Sequence, residues 1–220
     1  MYIRVHCQTY IDKICSNKPF SFSNIHQKPI PLKCDKDFMT KLETEPGSKD
    51  PQRIHDLEKQ VGYKYRTATG ELIFAMVTCR PDVGFAVMKL SQFNNCPTAT
   101  HFEAILDIYR YLYATKSEGL TYWRSQRNHH LPSHAHPNLS HESYNINLPE
   151  EFHINGLAYG YADSDWAGDR KSCRSVSGIS IHLNGASIIY KTILQRTIVL
   201  STTEAEFYAL AEAGKITLYL

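Results

Sequence analysis

Long apolar runs are missing from this chain of 220 residues. The longest largely apolar stretch runs from Leu72 to Cys79. It is well short of the roughly 20 residues that a membrane-spanning helix needs. The six cysteines are scattered and include no Cys-x-x-Cys pair, which argues against a zinc ribbon or a disulfide scaffold and is typical of a reducing compartment. We therefore predict a reduced protein without a membrane partner.

A strong net charge is also missing. Lysine and arginine number 24 against 22 aspartates and glutamates, which leaves a formal charge of +2. Any contact with nucleic acid must therefore come from local basic patches rather than from the charge of the whole chain. Apolar residues make up 42% of the sequence and aromatic residues 11%, which is ordinary for a globular protein with one large or two small domains.

Apolar periodicity divides the first half into short elements. The clearest helix has apolar residues at i, i+3, i+4 and i+7, after a Thr-x-x-Glu capping box at Thr100 and Glu103. Pro81 ends the helix that begins at Tyr65, and its fixed φ suits the first position of the helix over 83–90. The predicted elements are a strand over 2–5, helices over 8–15, from 65, over 83–90 and after 100, and a strand over 119–123.

Two polar segments interrupt this pattern. Residues 24–60 contain four prolines and predict mostly loop. Residues 124–150 lack periodicity and predict a linker. Its five histidines could bind Zn²⁺, but a flexible linker lacks the fixed geometry of a metal site, so a solvated linker is the better interpretation.

The second half of the chain is predicted to form a strand, a hairpin and a helix, in that order. "LAYGYAD" predicts a strand that ends in acids. Asn184-Gly185 between two apolar runs is a strong hairpin signal, because both residues tolerate positive φ. Ser201 and Glu204 form a capping box that predicts the start of a helix.

The acids of this half have two interpretations. Asp163 and Asp165 share one strand face, and the following helix offers Glu204 or Glu206. Paired carboxylates suit Mg²⁺, which prefers hard oxygen ligands. A polar strand end followed by acids at a helix amino terminus is the alternative, and the spacing alone favours it. Periodicity does not choose between the two glutamates, although the capping role of Glu204 leaves Glu206 freer.

Longer motifs carry a resemblance to a known family. "GYADSDWAGD", "RSVSGISIHLNGASIIYK" and "LSTTEAEFYALAEA" resemble, in order, the opening of the ribonuclease H domain of copia-type LTR retrotransposon Pol polyproteins. "YRTATGELIFAMVTCRPDVGFAVMKLSQF" and "HFEAILDIYRYLYATKSEGLTY" resemble the region just upstream, and "IRVHCQTYIDKI" resembles the end of the reverse transcriptase palm. The similarity covers nearly the whole chain.

The resemblance implies an α+β fold. Residues 1–123 would be the carboxyl-terminal, largely helical part of the reverse transcriptase, and 124–150 the linker. Residues 151–220 would be the first half of a ribonuclease H-like domain, with a hairpin-containing sheet and its first helix. No Tyr-x-Asp-Asp polymerase motif occurs, because "YADSD" separates its aspartates with Ser164.

The resemblance also implies a catalytic site. By the resemblance, Asp163 and Glu206 are catalytic carboxylates and metal ligands. Asp165 is then expected to be a strand-end residue and Asp169 a turn residue. The family hydrolyses the RNA strand of RNA–DNA hybrids with two Mg²⁺ ions held by four acids. Glu212 is the only acid after Glu206. We therefore expect a fragment in which Mg²⁺ binding is weak or absent, and whether it is an enzyme stays open.

Basic residues complete the prediction. Arg110, Lys116, Arg124 and Arg127 lie among aromatic residues, a mixture that can contact phosphates and stack on bases. The turn with Arg170, Lys171 and Arg174 is a second candidate for phosphate contact. A core of tyrosines with solvated cations, and a simple exposed turn, are the respective alternatives.

The implied partners are an RNA–DNA hybrid, or DNA or RNA alone, together with the rest of the Pol polyprotein. The implied location is cytoplasmic, in a virus-like particle, or nuclear. Two other functions are a nucleic-acid-binding module without catalysis and an inert, decayed remnant. Cooperative unfolding would argue against the remnant.

Overall fold

The computed structural model describes residues 2–19, 30–123, 158–169 and 172–220. They form two compact units, Val5–Leu120 and a second one of residues 2–4 and 121–220 as far as these are described. Helices and antiparallel strands occur together, which confirms the predicted α+β class. The predicted linker over 124–150 lies outside the described residues.

The first unit is helical. Its helices, with a 3₁₀ turn at Pro81–Val83 before the fifth, are α1 (Gln8–Ser16), α2 (Lys36–Thr44), α3 (Pro51–Val61), α4 (Tyr65–Thr78), α5 (Gly84–Ser91) and α6 (Ala99–Ala114). Across the described residues, no helix is long and apolar enough to cross a membrane.

The prediction of loop over residues 24–60 is wrong where the structure describes that segment, because α2 and α3 lie within it. Asp35 caps α2 by accepting from the Phe38 N–H, and Asp50 caps α3 by accepting from the Gln52 N–H. Pro51 occupies the first turn of α3, where a proline needs no hydrogen-bond partner. α2 buries Leu42 and packs Phe38 and Met39 against the core, and α3 packs Leu57 and Val61 there, so each helix has a short apolar face.

The start of α6 also differs from the prediction. Thr98, rather than Thr100, is the N-cap residue, and the capping box joins it to His101. The buried His101 ring accepts the Thr98 N–H through Nδ1 at 2.9 Å. Its Nε2 lies 2.8 Å from the Leu42 carbonyl oxygen, so the neutral ring that carries its hydrogen on Nε2 satisfies both contacts.

The helical unit has an extensive core. Leu72 of α4, Leu90 of α5 and Ile105 of α6 are fully buried in one cluster. The Tyr65 hydroxyl donates to the Leu90 carbonyl at 2.9 Å, and the Tyr63 hydroxyl donates to the Phe102 carbonyl at 2.5 Å. Aromatic side chains thus supply both apolar area and satisfied hydrogen bonds.

The strands form two sheets. β1 (Tyr2–Val5) pairs with β2 (Leu120–Trp123). β3 (Ala158–Asp169), β4 (Arg174–Leu183) and β5 (Ala186–Leu194) form an antiparallel sheet in that order. The Asn184-Gly185 hairpin is confirmed, since these residues join β4 to β5 with φ of 52° and 90°.

α7 (Thr202–Thr217) packs on β3 and β4. Its buried side chains are Ala205, Ala209 and Ala213, spaced four residues apart on one face. Ala213 joins Ile179 and Ile181 in a small apolar cluster. The small side chains let the helix approach the sheet closely, while larger apolar residues of α7 remain exposed.

Candidate functional site

Asp163 lies in the middle of β3, opposite Gly178 of β4. Ala162 packs in the apolar cluster beneath α7. Because strand side chains alternate, Asp163 extends from the face of the sheet opposite to that helix. Gly178 contributes no side chain, and a Cβ there would contact nothing within 4 Å. The cross-strand space beside Asp163 is therefore open.

An aromatic group shares the face of Asp163. The rings of Tyr159 and His182 are stacked with centroids 5.0 Å apart, and Tyr161 meets His182 edge-on at 5.7 Å. His182 Nε2 lies 2.8 Å from Ser180 Oγ. Burial lowers the pKa of His182, because it penalises the charged ring.

The end of β3 is an irregular turn. Ala167 has a φ of 53°, and the register shifts between Asp165 and Asp169. A Cβ on Gly168 would collide with the Asp165 carboxylate. Asp169 accepts the Ser172 N–H at 3.2 Å, which is the turn role that the sequence assigns to it. The Trp166 indole donates to the Val199 carbonyl at 3.2 Å, so this turn is attached to the segment before α7.

The first turn of α7 distinguishes its two glutamates. Ser201 accepts the Glu204 N–H at 3.1 Å, and Glu204 in turn accepts the Leu200 N–H at 2.9 Å. The predicted helix start at Ser201 is confirmed, with Glu204 committed to capping. Glu206 is exposed and, within the described residues, makes no hydrogen bond or ion pair.

A buried glutamine fixes α7 to the sheet. The Gln195 side-chain amide donates to Ser177 Oγ at 2.9 Å and to the Ala205 carbonyl at 3.0 Å. Its backbone N–H donates to the Ser175 carbonyl at 2.9 Å. Gln195 therefore positions the turn that carries Glu206. Sequence patterns gave no signal for it, because both side-chain partners are distant along the chain.

Asp163 and Glu206 have the oxygen chemistry that Mg²⁺ prefers. Both are exposed, and Asp163, like Glu206, is free of hydrogen bonds and ion pairs to the described part of the chain. Among the described residues, no group of three or more His, Cys, Asp or Glu side chains could hold a metal ion. The described chain thus offers suitable ligands but not a complete metal site.

The predicted phosphate contacts have varied environments. Arg110 forms ion pairs with Glu103 at 2.5 Å and Asp107 at 2.6 Å, and Lys116 pairs with Asp12 at 2.7 Å. These carboxylates neutralise both cations. Arg174 is half-buried and donates through Nε to Ser172 Oγ at 3.0 Å. The remaining candidates lie outside the described residues: Arg124, Arg127, Arg170 and Lys171.

The chain is similar to transposon proteins. It is 30% identical over 170 residues to the Retrovirus-related Pol polyprotein from transposon TNT 1-94 of Nicotiana tabacum, which covers 77% of this chain and 11% of that protein. It is 31% identical over 151 residues to the corresponding protein from transposon RE1 of Arabidopsis thaliana, which covers 69% of this chain and 8% of that protein. The chain belongs to the copia-type retrotransposon Pol polyprotein family.

This Pol segment spans about a tenth of the Pol relatives it matches. It spans most of another relative, Secreted RxLR effector protein 161 of Plasmopara viticola: the match is 35% identical over 158 residues and covers 71% of this chain and 90% of that protein. No family model matches the chain, and no solved structure matches it.

Proposed function

We propose that this chain joins the end of the reverse transcriptase to the start of the ribonuclease H domain in a copia-type Pol polyprotein. Its ancestral activity is cleavage of the RNA strand in RNA–DNA hybrids. The observation that carries the proposal is the arrangement of the Pol-like motifs in one unit. The aspartate motif forms β3, the serine-rich motif forms β4, and the glutamate motif forms α7.

In the proposed function Asp163 and Glu206 are Mg²⁺ ligands. The structure supports each carboxylate separately: Asp163 is exposed beside the open position of Gly178, and Glu206 is unpaired among the described residues while Glu204 is committed to capping. Because Asp163 extends from the sheet face opposite to α7, the described fold does not itself bring the two carboxylates onto one ion. Bound Mg²⁺ would activate water for attack on the RNA phosphate. The chain's own contribution is to hold the carboxylates, with Gln195 fixing α7 and Trp166 fixing the β3 turn.

Two ligands do not complete a two-metal site, so the 220-residue chain should bind a divalent ion weakly and leave RNA intact. Mn²⁺ replaces Mg²⁺ and broadens nearby NMR signals, which makes it a direct probe. We expect selective broadening of amide signals around Asp163 and Glu206. Asp163→Asn should weaken Mn²⁺ binding at least about tenfold, since removal even of a supporting residue costs that much.

Asp165→Asn is the matched control, because it removes the same charge two residues away on the same strand face. An equal loss of Mn²⁺ binding in both variants would refute the specific role of Asp163. A labelled RNA–DNA hybrid incubated with the chain and Mg²⁺ tests catalysis. RNA cleavage that disappears in Asp163→Asn would show that the chain is itself an active nuclease.

A second candidate function is a stand-alone role without catalysis. The relative named Secreted RxLR effector protein 161 favours it, because this chain spans 90% of that protein. A protein of this extent therefore occurs apart from a Pol polyprotein. Hybrid binding without specific Mn²⁺ binding at Asp163 would support the second candidate over the first.

A further inference from the structure

A basic groove lies in the helical unit. It has a volume of about 740 Å³ and is bounded by the amino ends of α3 and α4 and by the turn after α5. Three cations line it, Lys49, Lys64 and Arg66, together with the amides of Asn94 and Asn95. Its lining residues therefore favour an anionic, hydrogen-bonding ligand.

The positive charge of this groove is largely uncompensated. Among the described residues that line the groove, Glu58 is the one carboxylate, and its Oε1 accepts the Tyr65 N–H at 3.0 Å. Within the described ranges, none of the three cations forms an ion pair. Arg110 and Lys116 are paired with nearby acids, so the cations of the groove are more available for a phosphate ligand than those two residues.

Arg66 is held in place without losing its charge. Its Nε donates to the Asn94 carbonyl at 3.1 Å, and one terminal nitrogen donates to Asn95 Oδ1 at 2.6 Å. Both acceptors are neutral, so the guanidinium keeps its full charge at the groove. A pre-positioned guanidinium loses less conformational freedom when it binds phosphate.

We propose that this groove binds the sugar-phosphate backbone of a nucleic acid, with Lys49, Lys64 and Arg66 contacting phosphates. Three cations along a groove of this size suit a ligand with repeated phosphates better than one small anion. The two lysines are exposed, so they can reach a backbone that passes along the surface. The choice of an RNA–DNA hybrid as the ligand rests on the proposed function, whereas the preference for a polyanion rests on the groove.

The test is binding of a fluorescent RNA–DNA hybrid to the whole chain, measured by anisotropy in EDTA. Lys49→Glu combined with Lys64→Glu should weaken binding at least tenfold. Each lost phosphate contact lowers the slope of log affinity against log salt by about 0.9, so from about 50 to 200 mM salt the slope should fall by roughly 2. The matched control combines Lys33→Glu with Lys36→Glu, which changes the same charge at exposed lysines outside the groove.

Thermal unfolding of both double variants establishes that they are folded. Weakened binding in the groove variant alone would support the proposal. Equal weakening in both variants, or no binding by the original chain, would overturn it. Displacement of the hybrid by inorganic phosphate at constant ionic strength would identify a small-anion site and would overturn it too.

The two proposals fail separately. Hybrid binding is measured in EDTA, and Mn²⁺ binding is measured in the absence of hybrid, so each experiment reports on one site only. Loss of the Mn²⁺ site with intact groove binding would refute the nuclease assignment only. Loss of groove binding with an intact Mn²⁺ site would refute the groove only.

Discussion

The helical unit and the unit of β3–β5 with α7 differ in how much they bury. Within the described residues, the helical cluster has 22 buried residues from Ile11 to Leu112, whereas the sheet cluster has three, Ile179, Ile181 and Ala213. On α7, Phe207 remains 66% exposed and Leu210 remains 61% exposed. Because apolar burial is the main stabilising term in folding, stability should be concentrated in the helical unit.

Polar groups show the same contrast. Four buried side-chain atoms lack a hydrogen-bond partner in the described structure, and all four lie in the sheet unit: Ser164 Oγ, His182 Nδ1, Asn184 Oδ1 and Gln195 Oε1. Each buried unsatisfied group costs free energy. The helical unit, by comparison, satisfies the buried hydroxyls of Tyr63, Tyr65 and Tyr109. The sheet unit should therefore open at a lower free energy.

The largest expected effect is a loss of stability in the helical unit, which would remove its advantage over the sheet unit. Arg80 is 1% exposed, forms a two-pronged ion pair with Asp82 and donates to the Thr115 carbonyl at 3.1 Å. Arg80→Ala should lower the free energy of unfolding of this unit by about 2–4 kcal/mol, because it removes the buried guanidinium that pairs with the partly exposed Asp82 and leaves the Thr115 carbonyl without its donor. Urea unfolding with hydrogen exchange of α4 and α6 would measure the change.

The free energy of unfolding of Arg80→Lys should lie between those of the original chain and Arg80→Ala, since lysine keeps the charge but not the planar fork. The exposed Arg53→Ala is the control and should change stability by less than about 0.5 kcal/mol. A loss below about 1 kcal/mol for Arg80→Ala would show that Asp82 and Thr115 find other partners.

A smaller loss of stability is expected in the sheet unit, where it should be confined to α7. Gln195→Ala removes the donor to Ser177 Oγ and to the Ala205 carbonyl. We expect a loss of about 1–3 kcal/mol and faster hydrogen exchange in α7, while exchange in α4 is unchanged. Gln60→Ala, at an exposed position of α3, is the matched control. Unchanged exchange in α7 would contradict the bridging role of Gln195.

The smallest expected effect is a pH dependence of the sheet unit. Burial lowers the pKa of His182 in the folded state, so the unfolded chain binds the proton more readily. Stability should therefore fall as the pH drops from about 6.5, the unperturbed value, toward the folded pKa. His182→Phe keeps a ring against Tyr159 and should remove this dependence in thermal melts from pH 7 to 5. His55→Gln, at an exposed position of α3, should leave it intact.

Local signals predicted much of the fold. Asn184-Gly185 needs only its own φ preferences, and Ser201 with Glu204 needs only one helical turn, so both were correctly predicted. α2 and α3 were missed because the four prolines of residues 24–60 were weighed as loop signals. The caps Asp35 and Asp50, and the helical spacing of Ile54, Leu57 and Val61, could have found them. The α6 cap was misplaced because His101, rather than a glutamate, completes its capping box.

The candidate site was less predictable. The sequence distinguished Glu204 from Glu206 by its cap, and the hydrogen bonds agree with that distinction. Gln195 and the open position at Gly178 depend on strand register and helix docking, which no local pattern encodes. The basic groove combines Lys49, Lys64 and Arg66 with the turn at Asn94, so it exists only after the chain has folded.

The arrangement of the helical unit along the chain has a consequence for synthesis. All of its core residues lie between Ile11 and Leu112, and the Cys15 thiol donates to the Tyr109 carbonyl at 3.7 Å, which joins α1 to α6. The core therefore cannot close until α6 has left the ribosome. It can close before β3 is translated, since domains fold as units during synthesis. A nascent chain stalled after α6 should already resist protease, while the sheet unit is still unmade.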